Sequence, residues 1–192
     1  MTLTHQIPLN IKSQRVKFKS SIKAIARPFL LGLGLVFVLM TSQAHAQFQK
    51  KSWAITTQAP EINETDLAGI TWNNEQLKNK KVILNFWATW CAPCLEELPS
   101  LQTLFEISDY KEVAILTINV KENKNKVQSF VSSHGLSFPV ILDRQGDIAK
   151  KWGVRIYPTT ILISSQGKPQ WVVEGSVDWT NSTTASWIQQ MK

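Results

Sequence analysis

The chain has 192 residues, 43% hydrophobic and 18% charged with no low-complexity tract, enough for one ordinary domain plus an appendage. The net charge of +7 invites a nucleic-acid or membrane-surface reading. Its distribution excludes that: six of the 21 basic residues and none of the 14 acidic ones fall in residues 1–46, so the remainder carries only +1 and nucleic acid is not an expected partner.

The basic start has the parts of a targeting segment. After Lys12, Arg15, Lys17, Lys19, Lys23 and Arg27 come apolar or small residues from Phe29 to Met40, then Ala44-His45-Ala46 before Gln47. A cationic region, a short apolar core and a small-residue cleavage site, in that order, make a secretory signal peptide. The apolar run is well short of the roughly 20 residues that span a bilayer. The expected organisation is a cleaved signal peptide over residues 1–46 and one domain over residues 47–192. The rival is an uncleaved membrane anchor, obtained by extending the apolar segment back past Pro28.

Residues 47–80 are polar and irregular, with extended segments around Trp53, Ala59-Pro60 and Gly69-Ile70-Thr71-Trp72, and a short helical turn is expected near Asn73–Leu77. Residues 82–88 form a nearly unbroken β-favouring apolar run, the pattern of a central strand covered on both faces. A helical pattern follows from Cys91, with Leu95, Leu98, Leu101, Leu104 and Phe105 at spacings of three and four. Pro99 falls inside it and is expected to kink or interrupt the helix. Residues 113–120 read as a second buried strand, 123–134 as a helix stopping at Gly135, and 138–142 as a short strand. Residues 147–152 read as a short helix closed by Gly153. Residues 159–163 and 170–173 read as strands joined by a turn at 165–168, and 180–191 as a closing helix. This order predicts an α/β fold: a sheet with helices on both faces and one antiparallel edge.

Cys91 and Cys94 are the only cysteines. A structural bridge gains stability from the length of loop it closes, and three residues close almost nothing. A Cys-x-x-Cys straight after a buried strand and opening a helix is a redox arrangement. The free N–H groups and dipole of a helix start favour negative charge, which depresses a thiol pKa there. Cys91, first and nearer solvent, is therefore the expected nucleophile. Cys94, one turn inward, would resolve the mixed disulfide. Pro93 suits the first helical turn. Half of a zinc site is the alternative, but zinc takes four ligands and the only histidine after residue 46 is His134. His134 itself reads as a capping or surface residue.

The segment Asn85-Phe86-Trp87-Ala88-Thr89-Trp90-Cys91-Ala92-Pro93-Cys94 resembles the active-site segment of the thioredoxin superfamily, and Cys94-Leu95-Glu96-Glu97-Leu98-Pro99 resembles its exported TlpA/ResA branch. Trp152-Gly153-Val154-Arg155-Ile156-Tyr157-Pro158-Thr159-Thr160 resembles the family's second landmark, whose proline is cis and faces the cysteines. The resemblance runs from about Trp53 to the C-terminus and includes the strand and helix of residues 113–142 that lengthen this branch. It implies a thioredoxin-like fold with a central mixed sheet and helices on both faces. Ordinary thioredoxins carry a buried Asp where this chain has Asn85, and an amide cannot take a proton from Cys94. Glu97 is the replacement candidate: a partly buried carboxyl would have a raised pKa and could exchange a proton with Cys94. The alternative for Glu97 is an exposed helix charge, which is the reading for Glu96. With Pro158 cis, the Tyr157 backbone would be free to pair with an extended substrate, and Trp90 would form a flat apolar face beside the nucleophile. Trp72, Trp152, Trp171, Trp179 and Trp187 read as packing residues.

The leading functional reading is a periplasmic dithiol reductase of disulfides in exported proteins. By resemblance its substrate would be apocytochrome c, a cuproprotein assembly factor or another exported cysteine protein, and its electron donor a DsbD- or CcdA-type membrane transporter. No cofactor and no resident metal are expected, and a monomer is. A disulfide oxidase or isomerase is the same chemistry reversed; the Ala92-Pro93 pair gives no histidine to stabilise a thiolate strongly. A copper-binding assembly chaperone, using the two cysteines with His134, is the third reading.

Overall fold

The computed structural model describes residues 48–53 and 59–191; the expected targeting segment lies outside them. In chain order the elements are β1 (Gln49–Ser52), β2 (Asn63–Thr65), β3 (Thr71–Asn73), β4 (Lys81–Trp87), α1 (Ala92–Ile107) and β5 (Val113–Val120). They continue as α2 (Lys124–Ser133), β6 (Val140–Asp143), α3 (Asp147–Lys151), β7 (Thr159–Ile163), β8 (Pro169–Glu174) and α4 (Ser182–Gln190). Six strands form one mixed sheet in the order β1-β8-β7-β4-β5-β6, and β2 with β3 forms a separate hairpin. Strands β4, β5 and β6 are parallel, whereas β7, β8 and β1 follow on antiparallel.

The central strand shows why its sequence reads as an unbroken apolar run. Ile83 and Trp87 face a core built by Leu98, Leu101 and Leu104 of α1, Val127 of α2 and Trp187 of α4. Val82, Leu84 and Phe86, alternating with them, face the other side. Both faces being covered, neither set can be polar. Helices lie on both faces as expected, but the second carries only the five-residue α3. Ile62, Trp72 and Leu77, from the hairpin and the residues flanking it, close the rest. That hairpin is tied by Asp66, whose carboxylate accepts the N–H groups of Ala68 and Ile70 and the indole N–H of Trp72, each at 2.9 Å.

Two local expectations are corrected. Helix α1 runs as one element through Pro99 instead of breaking there. The ring costs one backbone hydrogen bond, and burial of Leu98, Leu101 and Leu104 along the same face outweighs it. Trp171 packs against the core from a half-buried position, as expected, and carries the Lys50 ammonium 3.9 Å over its ring. The polar segment Gln49–Ser52 is a sixth sheet strand, paired with β8 at the edge.

Candidate active site

Strand β4 ends at Trp87, and the loop Ala88-Thr89-Trp90 delivers Cys91 to the start of α1. Cys91 is the N-cap, in extended conformation, and its Sγ accepts the Cys94 N–H at 3.3 Å. Pro93, having no N–H, falls where the helix has no partner for one. The two cysteines are joined as a disulfide with Cα atoms 5.2 Å apart. Cys91 keeps 5% of its surface open and Cys94 none, so only the first sulfur can be approached from solvent. On reduction, the sulfur at the cap keeps the helix-start N–H groups and the dipole, the setting that favours a thiolate.

The second landmark meets the first through the sheet. In the antiparallel β4–β7 pair, Phe86 lies opposite Thr159, which brings Pro158 beside the end of β4. The Tyr157–Pro158 bond is cis and Pro158 is buried. Tyr157 stands edge-on to Trp90, ring centroids 5.9 Å apart, and Trp90 is 59% exposed. The Tyr157 N–H and C=O have no hydrogen-bond partner among the described residues. Cys91, Trp90 and Tyr157 therefore share one rim, with unpaired backbone on it.

Three positions after Cys94, Glu97 is 2% exposed, one of the buried residues of α1 together with Cys94, Leu98 and Leu101. Its Oε1 accepts the Trp179 indole N–H at 2.6 Å, and its Oε2 the Asn85 amide at 3.3 Å. Burial pushes its pKa up to about 8, against the opposing pull of those hydrogen bonds and one from the Val177 backbone. The exposed-helix alternative for Glu97 is thus set aside; Glu96, next to it, is the exposed charge. Asn85 spends its other N–H on Thr160 Oγ1 at 2.9 Å, leaving its buried carbonyl oxygen without a partner among the described residues. Trp179 reads in the sequence as packing; nothing local to it announces a partner 82 positions away.

A second buried carboxylate holds the loop from the other side. Glu122, just past β5, accepts the Thr89 N–H and the Thr89 hydroxyl, both at 2.6 Å, and the Asn119 amide at 2.9 Å, and pairs with Lys126 at 2.7 Å. Burial alone would raise this carboxyl, but the Lys126, Thr89 and Asn119 hydrogen bonds outweigh it and hold its pKa below the ordinary carboxylate value. The sequence reading missed Glu122, because Lys121-Glu122-Asn123 looks like a solvated turn. Its one signal is position, at the C-terminal end of a parallel strand beside the strand that leads to the cysteines.

His134 caps α2, stacks on Phe130 at 3.9 Å and is exposed. Among the described residues no three of His, Cys, Asp and Glu come together as a metal-holding group, so the structure does not assemble the copper set of Cys91, Cys94 and His134. No helix among the described residues is long and apolar enough to cross a membrane.

A mixed sheet with a capped, helix-opening disulfide at the end of its central strand and a cis-proline loop beside it defines a thioredoxin-like thiol–disulfide oxidoreductase. Known proteins agree. Residues 55–172 match the AhpC/TSA family, and the chain belongs to that family. It is 35% identical over 159 residues to the thiol-disulfide oxidoreductase ResA of Geobacillus thermodenitrificans, covering 83% of this chain and 91% of that protein. ResA of Bacillus subtilis is 33% identical over 156 residues, covering 79% and 87%. The crystal structure of StoA from Bacillus subtilis superposes with a TM-score of 0.60 at 25% identity, covering 69% of this chain and 98% of that one. The chain is accordingly a thiol–disulfide oxidoreductase of the ResA type, with Cys91 and Cys94 as its redox pair.

Proposed function

We propose that this oxidoreductase works as a reductase of disulfides in exported proteins, in the periplasm, as a monomer. The observation that carries the direction is the modest support given to Cys91 sulfur: among the described residues it accepts one hydrogen bond, from the Cys94 N–H, and none from a side chain. A strongly oxidising pair needs a heavily stabilised thiolate. The signal-peptide pattern of residues 1–46 supports export.

In the forward reaction the Cys91 thiolate attacks one sulfur of the substrate disulfide. A Cys91–substrate bond forms and one substrate thiolate leaves. Cys94 then gives its proton to the Glu97 carboxylate and attacks Cys91, releasing the second substrate thiolate. The products are a reduced substrate and the Cys91–Cys94 disulfide with Glu97 protonated. That is the protonation a pKa of about 8 implies at neutral pH in the disulfide form. A membrane dithiol donor of the DsbD or CcdA type returns the two electrons. Trp90 and the Tyr157 backbone hold the substrate chain, apocytochrome c or another exported cysteine protein, as an added strand.

Equilibration with a thiol redox buffer tests the direction. A potential near that of thioredoxin, about −270 mV, is expected; one near about −120 mV would make the protein an oxidase.

A further inference from the structure

A cleft of about 560 Å³ opens at Tyr157 and runs along the C-terminal ends of β5 and β6 to α3. Lys121, Lys150 and Arg155 line it together with Tyr157, and Asp147 is its only carboxylate. All three cations are exposed, and none forms an ion pair within the described residues, where the only such pairs are Lys51–Glu174 and Lys126–Glu122. Arg144 and Lys151, also exposed, flank the same helix. The chain beyond residue 46 carries a net charge of only +1, so this density of positive charge is local. It adjoins the reactive pair: Tyr157 at its end is in edge contact with Trp90, the neighbour of Cys91.

We infer that this cleft receives an acidic segment of the substrate polypeptide, a few residues from the cysteine under attack. The inference rests on the reductase reading above and gives it a substrate class. A strand held at Tyr157 advances about 3.3 Å per residue. Carboxylates two to five positions from the target cysteine therefore fall along the cleft while the disulfide stays at Cys91. Charge at the rim of a binding surface acts mainly on encounter and orientation, and it is screened by salt. The main chain recognised at Tyr157 supplies no selectivity; the cleft supplies it.

The test uses the reduced protein and three disulfides: a peptide with Glu residues flanking its cysteine, the same peptide with Lys in their place, and hydroxyethyl disulfide as a neutral reference within each protein variant. At low ionic strength the Glu peptide is expected to be reduced on the order of tenfold faster than the Lys peptide. The ratio should shrink with added salt and invert in the double variant Lys150→Glu/Arg155→Glu. Equal rates for the two peptides, or a ratio unchanged by the double variant, would overturn the inference. Failure to reduce any of the three, the neutral reference included, would overturn the reductase reading instead. The cleft is then judged by peptide binding to the Cys91→Ala/Cys94→Ala protein, where tighter binding of the Glu peptide supports it and equal Kd values reject it.

Discussion

The indole N–H of Trp179 donates to the Glu97 carboxyl across 2.6 Å, joining the loop before α4 to the helix that carries the redox cysteines. Of the hydrogen bonds that oppose the upward pull of burial on Glu97, this one lowers its pKa most. Trp179→Phe keeps an aromatic ring in the core and removes the donor. The Glu97 pKa is then expected to move above its present value of about 8. Stability above that pH should fall by about 1–3 kcal/mol, the usual cost of leaving a buried acceptor unpaired. A carboxyl-resolved NMR titration of the disulfide form measures the first effect, and urea unfolding at high pH the second.

Glu97 should also govern how stability of the disulfide form varies with pH. Its pKa is about 8 in the folded protein against 4.5 as an unperturbed carboxyl. Between those values the folded state holds a proton that the unfolded state has lost, so stability falls as pH rises. The contribution is whole below about pH 4.5 and gone above about pH 8. Glu97→Gln is expected to flatten the profile across that window and to alter the pH dependence of disulfide reduction. Parallel denaturation series for the two proteins, differing by a constant at every pH, would contradict this.

Asn85→Asp would place a second carboxyl against Glu97, which forms no ion pair among the described residues. Two carboxyls in one buried site cannot both ionise readily, and one pKa is driven up. The substitution should cost about 1–3 kcal/mol at neutral pH, and more as pH rises. A flat difference from the parent protein between pH 5 and pH 9 would show that the new acid does not share the Glu97 environment.

Glu122 anchors the loop before Cys91 by accepting both the N–H and the hydroxyl of Thr89. Glu122→Ala strands those donors and the Asn119 amide, with an expected loss of about 2–4 kcal/mol. Disulfide exchange should slow as well, since Trp90 and Cys91 lose their tie to the end of β5. Denaturant midpoints and exchange rates for this variant and Lys126→Ala separate the two contributions. The lysine is largely exposed, and its loss should cost well under half as much.

Much of this architecture is written in local pattern. The double-sided strand β4, the cysteines at the next helix start and the short helix α3 each announce themselves within a window of a dozen residues. The proline before β7 is local too, but its cis form is not: an X–Pro bond is usually trans, and only the resemblance of residues 152–160 to the family's landmark implies otherwise. What stayed hidden depends on distant pairing. Gln49–Ser52 is polar because an edge strand has one solvated side, and it becomes a strand only by meeting β8. Trp179 and Glu122 look like ordinary core and surface residues until the fold brings their partners 82 and 33 positions away. The charge of the cleft beside Tyr157 is likewise invisible in the net figure, because Lys121 reaches it from the end of β5, Lys150 from α3 and Arg155 from the loop after α3.

The central claim, that Cys91 attacks and Cys94 resolves, is tested most directly by trapping the mixed disulfide. Cys94→Ala and Cys91→Ala proteins, each reduced, are mixed with a protein disulfide and quenched with acid, then separated without reductant. The Cys94→Ala protein is expected to accumulate a covalent complex through Cys91, since of the two cysteines only Cys91 has any surface open to solvent. The Cys91→Ala protein should accumulate almost none. Equal trapping by the two, or a complex formed only by Cys91→Ala, would contradict the assignment.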